Sequence, residues 1–593
     1  MIYIIFRLFE ANERDPKKIF SLLTKLFFLG ATGVAMSSFF FINSIQLILE
    51  SPRGSSDASY FNALFSKPIW DFEGVASGKT HYLTALMRLF SCDILGTGSN
   101  FKGWYNYLEA PLFYCGLISL ILFPHFLSLS DKRKKVVYFV FALAFIFPII
   151  FPFFRYSYWL FTGNYYRIFS FFVAIVILLI GLKSFDNIDC KSEADIKIVG
   201  VTLVLLLSFL YFPYKNAQII DKNIRDIVTA FLIIYSFLVY LIQFKIIKNI
   251  VKIILLIVIA IELIFFANIT VNKRPVISGE ETVGKVGYND YTVDAVTFIK
   301  SKDKTFFRIN KDYSSGMSIY QSLNDANAQD FYGTPSYHGF NQLNYVKFLQ
   351  ELEIIERGKE EQTRWVPGLV GLPLLHSFAS IKYTLTKDHI PYLPLSFYDL
   401  IARIGDVKVL KNKLALPLGF TYENYISLRD FEILSRNQKM IALYKAVVID
   451  DRAYKDLDYL AKLNMSDIPK NYSLNEYSDD VKLLSKDTFN ISNHGQNKIT
   501  GEISTDKDKM LFFSIPFDKG WKIKVDGQSV NAMMVNIGFI GVPVEKGLHN
   551  IELSYTPLYF YTGSAISLSA IFLFICLITL KYLRNRKNIQ PTR

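Results

Sequence analysis

The chain has 593 residues, 51% of them hydrophobic and 20% charged, with a mean hydropathy of +0.26 and a formal net charge of +13. Residues 271–558 hold 35 basic and 35 acidic side chains, so the whole basic excess lies outside the water-soluble stretch, which excludes a nucleic-acid binder. None of the four cysteines (Cys92, Cys115, Cys190, Cys576) falls in that stretch, which excludes a disulfide framework or CxxC metal site there.

In chain order, Met1–Phe6 is apolar but too short to cross a bilayer. It has neither a basic n-region nor a small-residue cleavage site, and reads as the inner end of a helix whose first part is missing. Eight almost purely apolar windows follow, near 22–47, 109–129, 136–154, 166–183, 197–214, 226–244, 253–269 and 560–580. Each approaches the roughly 20 helical residues that a hydrocarbon core about 30 Å thick requires. Arg14, Lys17 and Lys18 precede the first window, and Lys132–Lys135 follow the second. Lys245, Lys248 and Lys252 separate the sixth from the seventh; Lys581, Arg584, Arg586, Lys587 and Arg593 follow the last. If the spans alternate, all four groups fall on one side, and the bias of short loops makes that side the cytoplasm. The expected protein is therefore multi-pass, with a cytoplasmic C-terminus and a large extracytoplasmic domain.

Four segments result. Residues 1–270 form a transmembrane module. The outer loop 51–108 has turn-rich ends, and the outer loop 155–167 carries the Trp and Tyr residues typical of a membrane surface. Residues 271–411 read as a mixed α/β region, with a helix near 345–357 and a strand at 381–386. Residues 412–558 become β-rich: Met510–Ile515, Trp521–Val525 and Asn550–Tyr555 are strand-like, Asp526-Gly527 is a tight-turn signal, and a β-sandwich is expected. Residues 559–593 are a final span and a basic tail.

The stretch IPFDKGWKIKVDG, then GFIGVPVEKGLHNIELSYTP, then a last span resembles the YfhO family of bacterial membrane proteins. In order along the chain, SFFFINSIQLILESPRG is similar to that family's helix leading to a Ser-x-Arg loop. GNYYRIFSFF is similar to its Asn-Arg turn into a helix, and IELIFFAN to its Glu/Asn-bearing span. LLHSFASIKYTLTK and NKLALPLGFTYENYIS are similar to its outer-domain signatures. The likeness covers nearly the whole chain, but the later part of the family's length. It implies a GT-C-like glycosyltransferase in the bacterial plasma membrane. Such an enzyme moves a sugar from an undecaprenyl-phosphate (polyprenyl-phosphate) donor onto a cell-wall polymer such as teichoic acid. The GT-C class carries its key acidic residue on the first outer loop, after its first span. The early spans have no counterpart here and no Asp of this chain matches that residue. The resemblance thus implies either a separate polypeptide supplying those spans or, alternatively, a non-catalytic relative acting as a glycan-binding or assembly module. A transporter is the third class, but the spans show no internal repeat or paired broken helices.

Glycosyl transfer needs a carboxylate for the acceptor hydroxyl and cations for the departing phosphate. Arg167, beside Asn164 and Tyr166 at the outer start of the fourth window, suits bidentate phosphate binding; a snorkelling interfacial Arg is the plainer reading. Arg53 suits the same role, or is a solvated loop charge. Glu262, deep in the seventh window, is functional by depth or is a hydrogen-bonded pin between helices. Asp57, Asp71, Glu73, His81 and Asp93, on the first outer loop, are candidate bases, with solvated charge as the simpler account. Their spacing matches no metal motif. No cofactor is identified, and a divalent metal is compatible with the chemistry without a motif to support it. Tyr337, His338, Asn341 and Trp365 suit glycan contact, though such residues more often pack a core; Trp521, at strand spacing, suits a sandwich core. Gly96-x-Gly98 has neither a preceding strand nor a P-loop lysine and is no nucleotide site.

Overall fold

The computed structural model describes residues 2–11, 15–55, 69–70, 80–104, 107–129, 131–159, 161, 165–191, 193–272, 278–279, 283–315, 322–387, 396–450, 452 and 457–587. The chain divides into two compact units, one of residues 1–27 and 63–276, the other of residues 28–62 and 277–593.

Among the described residues, five helices are long and apolar enough to cross a membrane: Pro16–Met36, Tyr166–Lys191, Lys222–Leu241, Lys248–Asn272 and Phe560–Arg584. The shorter apolar helices are Ser38–Leu49, Leu117–Ser128 and Ile196–Tyr211. Three of the expected windows are interrupted, and 136–154 breaks at Phe151, between the helices Lys132–Ile150 and Pro152–Ser157. The window 22–47 is divided at Ser37, where the hydroxyls of Ser37 and Ser38 both bond back to the Val34 carbonyl, at 3.0 and 3.2 Å, and compete with the backbone ladder. The window 109–129 is helical only from Leu117, and it tightens to a 3-10 helix at Phe123, where Pro124 removes a backbone donor.

In the helical unit, Asp131, Asp195 and Asp221 each cap a helix by accepting from backbone N–H groups of its first turn. The helix Ile2–Glu10 packs on Lys132–Ile150 by stacking Phe6 on Phe141, with ring centroids 4.1 Å apart. Tyr166–Lys191 buries a stripe formed by Tyr166, Phe169, Val173, Val176, Ile177, Ile180, Ser184 and Ile188, the spacing of one helical face. Its other face exposes Ile168, Phe171, Phe172, Leu179 and Leu182, as a lipid-facing surface would.

The other unit carries the sheets. Its strands are Arg308–Lys311 (β1), Ser336–Tyr337 (β2), Trp365–Val366 (β3), Ile381–Thr386 (β4), Tyr398–Ile404 (β5), Val407–Asn412 (β6), Gly419–Tyr422 (β7), Asn424–Ser427 (β8), Val447–Ile449 (β9) and Ala461–Lys462 (β10). There follow Asn490–His494 (β11), Lys498–Thr505 (β12), Lys509–Pro516 (β13), Trp521–Val525 (β14), Gln528–Val530 (β15), Met533–Val535 (β16), Phe539–Val544 (β17) and Gly547–Tyr555 (β18). A mixed sheet of order β1-β4-β6-β5 pairs β1 parallel to β4. The helix Tyr291–Lys302 covers it through Ala295, Val296 and Ile299.

Two antiparallel sheets, β11-β12-β18-β14-β15 and β16-β17-β13-β7, share one core, in which Leu511, Phe513, Ile540 and Val542 meet Ile499, Ile503, Ile523, Ile551 and Leu553. Strand β12 buries alternate residues, while β13 is buried on both faces: Met510 and Phe512 turn to a second core built with helices. That is why 510–515 reads as an unbroken apolar run. Asp526 (φ 51°) and Gly527 (φ 81°) turn β14 into β15, the left-handed pair of a two-residue hairpin. Trp521 packs its ring on Tyr555 at 5.2 Å at the edge of the sandwich core. The architecture is that of a membrane protein with a larger, sheet-rich C-terminal region.

Asp303, at the end of the covering helix, fastens that helix to β4. Burial pushes its carboxyl up, but Lys382 at 2.6 Å, Thr305, and Tyr383 at 2.8 Å hold it at about 2, below the ordinary 3.8. A depressed carboxyl pKa stabilises the fold above the unfolded value, and the gain is lost as pH falls through the folded one. Asp303→Asn is therefore expected to cost about 2 kcal/mol at neutral pH. The deficit relative to the parent should shrink between about pH 4 and pH 2, and paired thermal-unfolding curves across that range check it.

Candidate functional site

In the helical unit, the segment between the helices Thr80–Phe90 and Leu117–Leu122 folds against the start of Tyr166–Lys191. Ser170 Oγ accepts from Leu112 N–H at 2.9 Å, and Thr84 Oγ1 accepts from Trp104 N–H at 2.8 Å. The turn at 93–102 requires Gly96: its φ is +85°, and a Cβ there would stand 2.2 Å from the Asn100 carbonyl oxygen. Gly96-x-Gly98 thus serves a turn.

This folding gathers three arginines on an aromatic floor. Arg88 is buried, donates to the Ala110 carbonyl at 3.3 Å, and lies 5.2 and 5.4 Å from the ring centroids of Phe101 and Tyr107. Half-buried Arg167 donates to the Tyr107 carbonyl at 3.0 Å and lies 5.4 Å from the same ring. Arg155, fully buried, sits 3.8 Å over the Tyr166 ring and donates to the Pro148 carbonyl at 3.1 Å. Arg88 feels the charges of both Arg167 and Asp93. Asp93 is buried and accepts from Thr270 Oγ1 at 2.5 Å. Guanidinium groups held against aromatic rings keep a fixed planar fork, the geometry suited to a phosphate or carboxylate.

An apolar groove of about 750 Å³ adjoins this floor, lined by Leu86, Leu89, Phe113, Val173, Ile177 and Leu205 among others. Phe113 is shared: it lines the groove and meets the Tyr166 ring edge-on, with centroids 6.1 Å apart. The unit thus places an apolar groove beside a cluster of arginines.

The candidates from the sequence fall in different places. Arg167 and Tyr166 stand in this cluster; Asn164, Asp57, Asp71 and Glu73 lie outside the described residues, as does the side chain of His81. Arg53 belongs to the sheet-bearing unit, where its Nε contacts Glu360 at 2.7 Å, a carboxylate shared with Arg364, and its guanidinium lies 5.7 Å from the Phe340 ring. Glu262 is fully buried in the helical unit. It accepts from Tyr114 Oη at 2.7 Å, Leu117 N–H at 2.8 Å and Tyr235 Oη at 2.5 Å, which joins two helices and caps a third.

Of the proposed glycan contacts, Tyr337 and Trp365 pair as β2 and β3 with ring centroids 4.5 Å apart. Asn341 is buried and bonded to Ser336 and to the Thr363 carbonyl. Among the described residues no group of three or more His, Cys, Asp or Glu could hold a metal. Arg88 and Arg155 were not singled out in the sequence. Their signal is a lone arginine amid apolar neighbours (ALMRLF and FPFFRYSYW), a position costly enough to need a partner or a function.

The family model described as "Bacterial membrane protein YfhO" matches residues 1–471 and 469–567. The chain is similar to the "Uncharacterized protein YfhO" of Bacillus subtilis (strain 168), 33% identical over 95 residues, 16% of this chain. That match spans 10% of the length of the curated relative. No solved structure matches the chain.

Proposed function

Because this chain belongs to the YfhO family of bacterial membrane proteins, we propose that its helical unit binds a polyprenyl-phosphate-linked sugar. The sugar is transferred to a cell-wall polymer such as teichoic acid at the outer face of the plasma membrane. The observation that carries this reading is the apolar groove beside the triad Arg88, Arg155 and Arg167. A lipid-linked phosphate has the same two parts, a long apolar chain and a compact anion.

In this reading Arg167 and Arg88 hold the phosphate, and Asn164 and Tyr166 are the further substrate-binding candidates. The acceptor hydroxyl attacks the anomeric carbon, the bond from that carbon to the phosphate oxygen breaks, and polyprenyl phosphate leaves with the electron pair. The arginines stabilise the charge on the leaving group, and a carboxylate takes the acceptor proton. Asp93, which stands in the same cluster, is the carboxylate assigned to that step. Asp57, Asp71 and Glu73 remain the candidates on the preceding loop. Residues 271–558 and the loop 51–108 are extracytoplasmic, and the basic tail after 580 is cytoplasmic, following the positive-inside bias.

The test uses the full chain in nanodiscs with undecaprenyl phosphate and its hexose-linked forms, alongside envelope-glycan analysis of a gene deletion. Saturable binding of the lipid phosphate and a missing sugar substituent in the deletion strain are expected. No binding of any polyprenyl phosphate, with envelope glycans unchanged, would overturn the reading.

A further inference from the structure

The sheet-bearing unit has a pocket that the donor-lipid reading does not use. It lies where β1 ends, in the only sheet edge region where β1 runs parallel to β4 among the described strands of that sheet. Crevices at the carboxyl ends of parallel strands are the usual ligand sites of α/β layers. The cavity measures about 240 Å³ and is lined by Ile309, Lys311, Tyr313, Asp325, Phe331 and Pro335 among others. That is smaller than the roughly 300–1,000 Å³ that holds drug-sized ligands, and is the scale of one sugar ring.

The polar wall is built and buried. Lys311 and Asp325 form an ion pair with side-chain exposures of 5% and 3%. Such a pair is weak as a stabilising device, because desolvation offsets most of its attraction. Around it, Asp290 is fully engaged: it accepts from Thr292 N–H at 3.0 Å, Gln329 Nε2 at 3.1 Å, Ser315 Oγ at 2.9 Å and Lys387 Nζ at 3.2 Å. Ser315 in turn accepts from Lys311. This network fixes Lys311 but does not engage both oxygens of its Asp325 partner. Asp325, which lines the pocket, gives Oδ2 to Lys311, while its buried Oδ1 has no hydrogen-bond partner among the described residues. A buried carboxylate oxygen without a donor costs about 1–3 kcal/mol or more. A ligand that donates there recovers it.

We propose that this pocket binds a neutral sugar ring, whose hydroxyl donates to Asp325 Oδ1 while a neighbouring oxygen accepts from Lys311, with Tyr313 and Phe331 against its C–H face. The charges argue for neutrality. Lys311 and Lys387 face Asp290, Asp325 and Asp406, so an added anion meets excess negative charge. An added ammonium would crowd Lys311, which is already on the same carboxylate. The pocket lies wholly within the sheet-bearing unit, and the inference stands whether or not the helical unit transfers sugar.

The experiment is calorimetric titration of the full chain, in nanodiscs free of glycoside detergents, with glucose and N-acetylglucosamine. Glucose 6-phosphate and glucosamine serve as charge variants. Two substitutions accompany it. Asp325→Asn removes the carboxylate, and Val370→Trp narrows the rim at a pocket-lining position that is 39% exposed and so leaves the core untouched. Saturable binding of a neutral hexose, weakened at least about tenfold in both variants, is the expected result, as loss of a hydrogen bond to a charged group implies. The proposal is overturned if no neutral hexose binds saturably, if binding survives unchanged in both folded variants, or if the phosphorylated or amino sugar binds more tightly.

Discussion

Arg167→Gln and Arg88→Gln are each expected to lower transfer from a polyprenyl-phosphate sugar by about a hundredfold in kcat/KM, the loss typical of deleting one pre-organised donor to a developing anion. The two arginines share the Tyr107 residue: Arg167 bonds its carbonyl at 3.0 Å, and both guanidinium groups lie 5.4 Å from its ring centroid. If they act on one anion, as proposed, the double variant should lose much less than the product of the single losses. Arg167→Lys keeps the charge but not the planar fork, and should recover only part of the rate. Arg88 is buried and Arg167 only half-buried, so the Arg88 variant carries the larger structural risk. Thermal unfolding of each variant separates the two effects. An Arg167→Gln variant with undiminished transfer would remove the proposed phosphate role from this cluster.

Glu262→Ala is expected to destabilise the helical unit by about 3 kcal/mol. Three donors, Tyr114 Oη, Tyr235 Oη and Leu117 N–H, would be left facing an apolar cavity. In bilayers, interhelical hydrogen bonds average only about 0.6 kcal/mol, with a maximum near 1.7, because the unfolded reference also finds partners. The two tyrosine bonds and the helix cap at Leu117 N–H therefore set the scale, rather than a full buried-charge penalty. Glu262→Gln keeps two acceptor positions on its carbonyl oxygen and should cost about 1 kcal/mol. Unfolding in nanodiscs reads both values. If the carboxylate is a pin, specific activity per folded molecule is unchanged in Glu262→Gln. A loss of activity at unchanged stability would instead make Glu262 the base.

The region Met510–Ile515 shows how a local signal can be correct and still incomplete. Its apolar run is visible in the sequence as a strand. That it serves two cores at once depends on which layers flank it, and those layers come from β12, β14 and β18 on one side and from helices on the other. The window 22–47 shows the opposite case. Hydropathy averages over Ser37 and Ser38, whereas the structure divides the helix there because two hydroxyls compete for the Val34 carbonyl.

Length, apolar runs, charge placement and the order of modest motifs were enough to establish a membrane protein of the YfhO family with a sheet-rich C-terminal region. Those are one-dimensional properties: run length measures bilayer thickness, and strand alternation measures one buried face. The site is different. Within Tyr166–Lys191 both faces are apolar, one for protein and one for lipid, so periodicity cannot tell which residues meet. Only the packed helices decide that Arg88, Arg155 and Arg167 converge on Tyr107 and Tyr166, and that Glu262 is satisfied by Tyr114, 148 positions away. A buried charge in low dielectric is defined by its partners, and those partners are chosen by the fold.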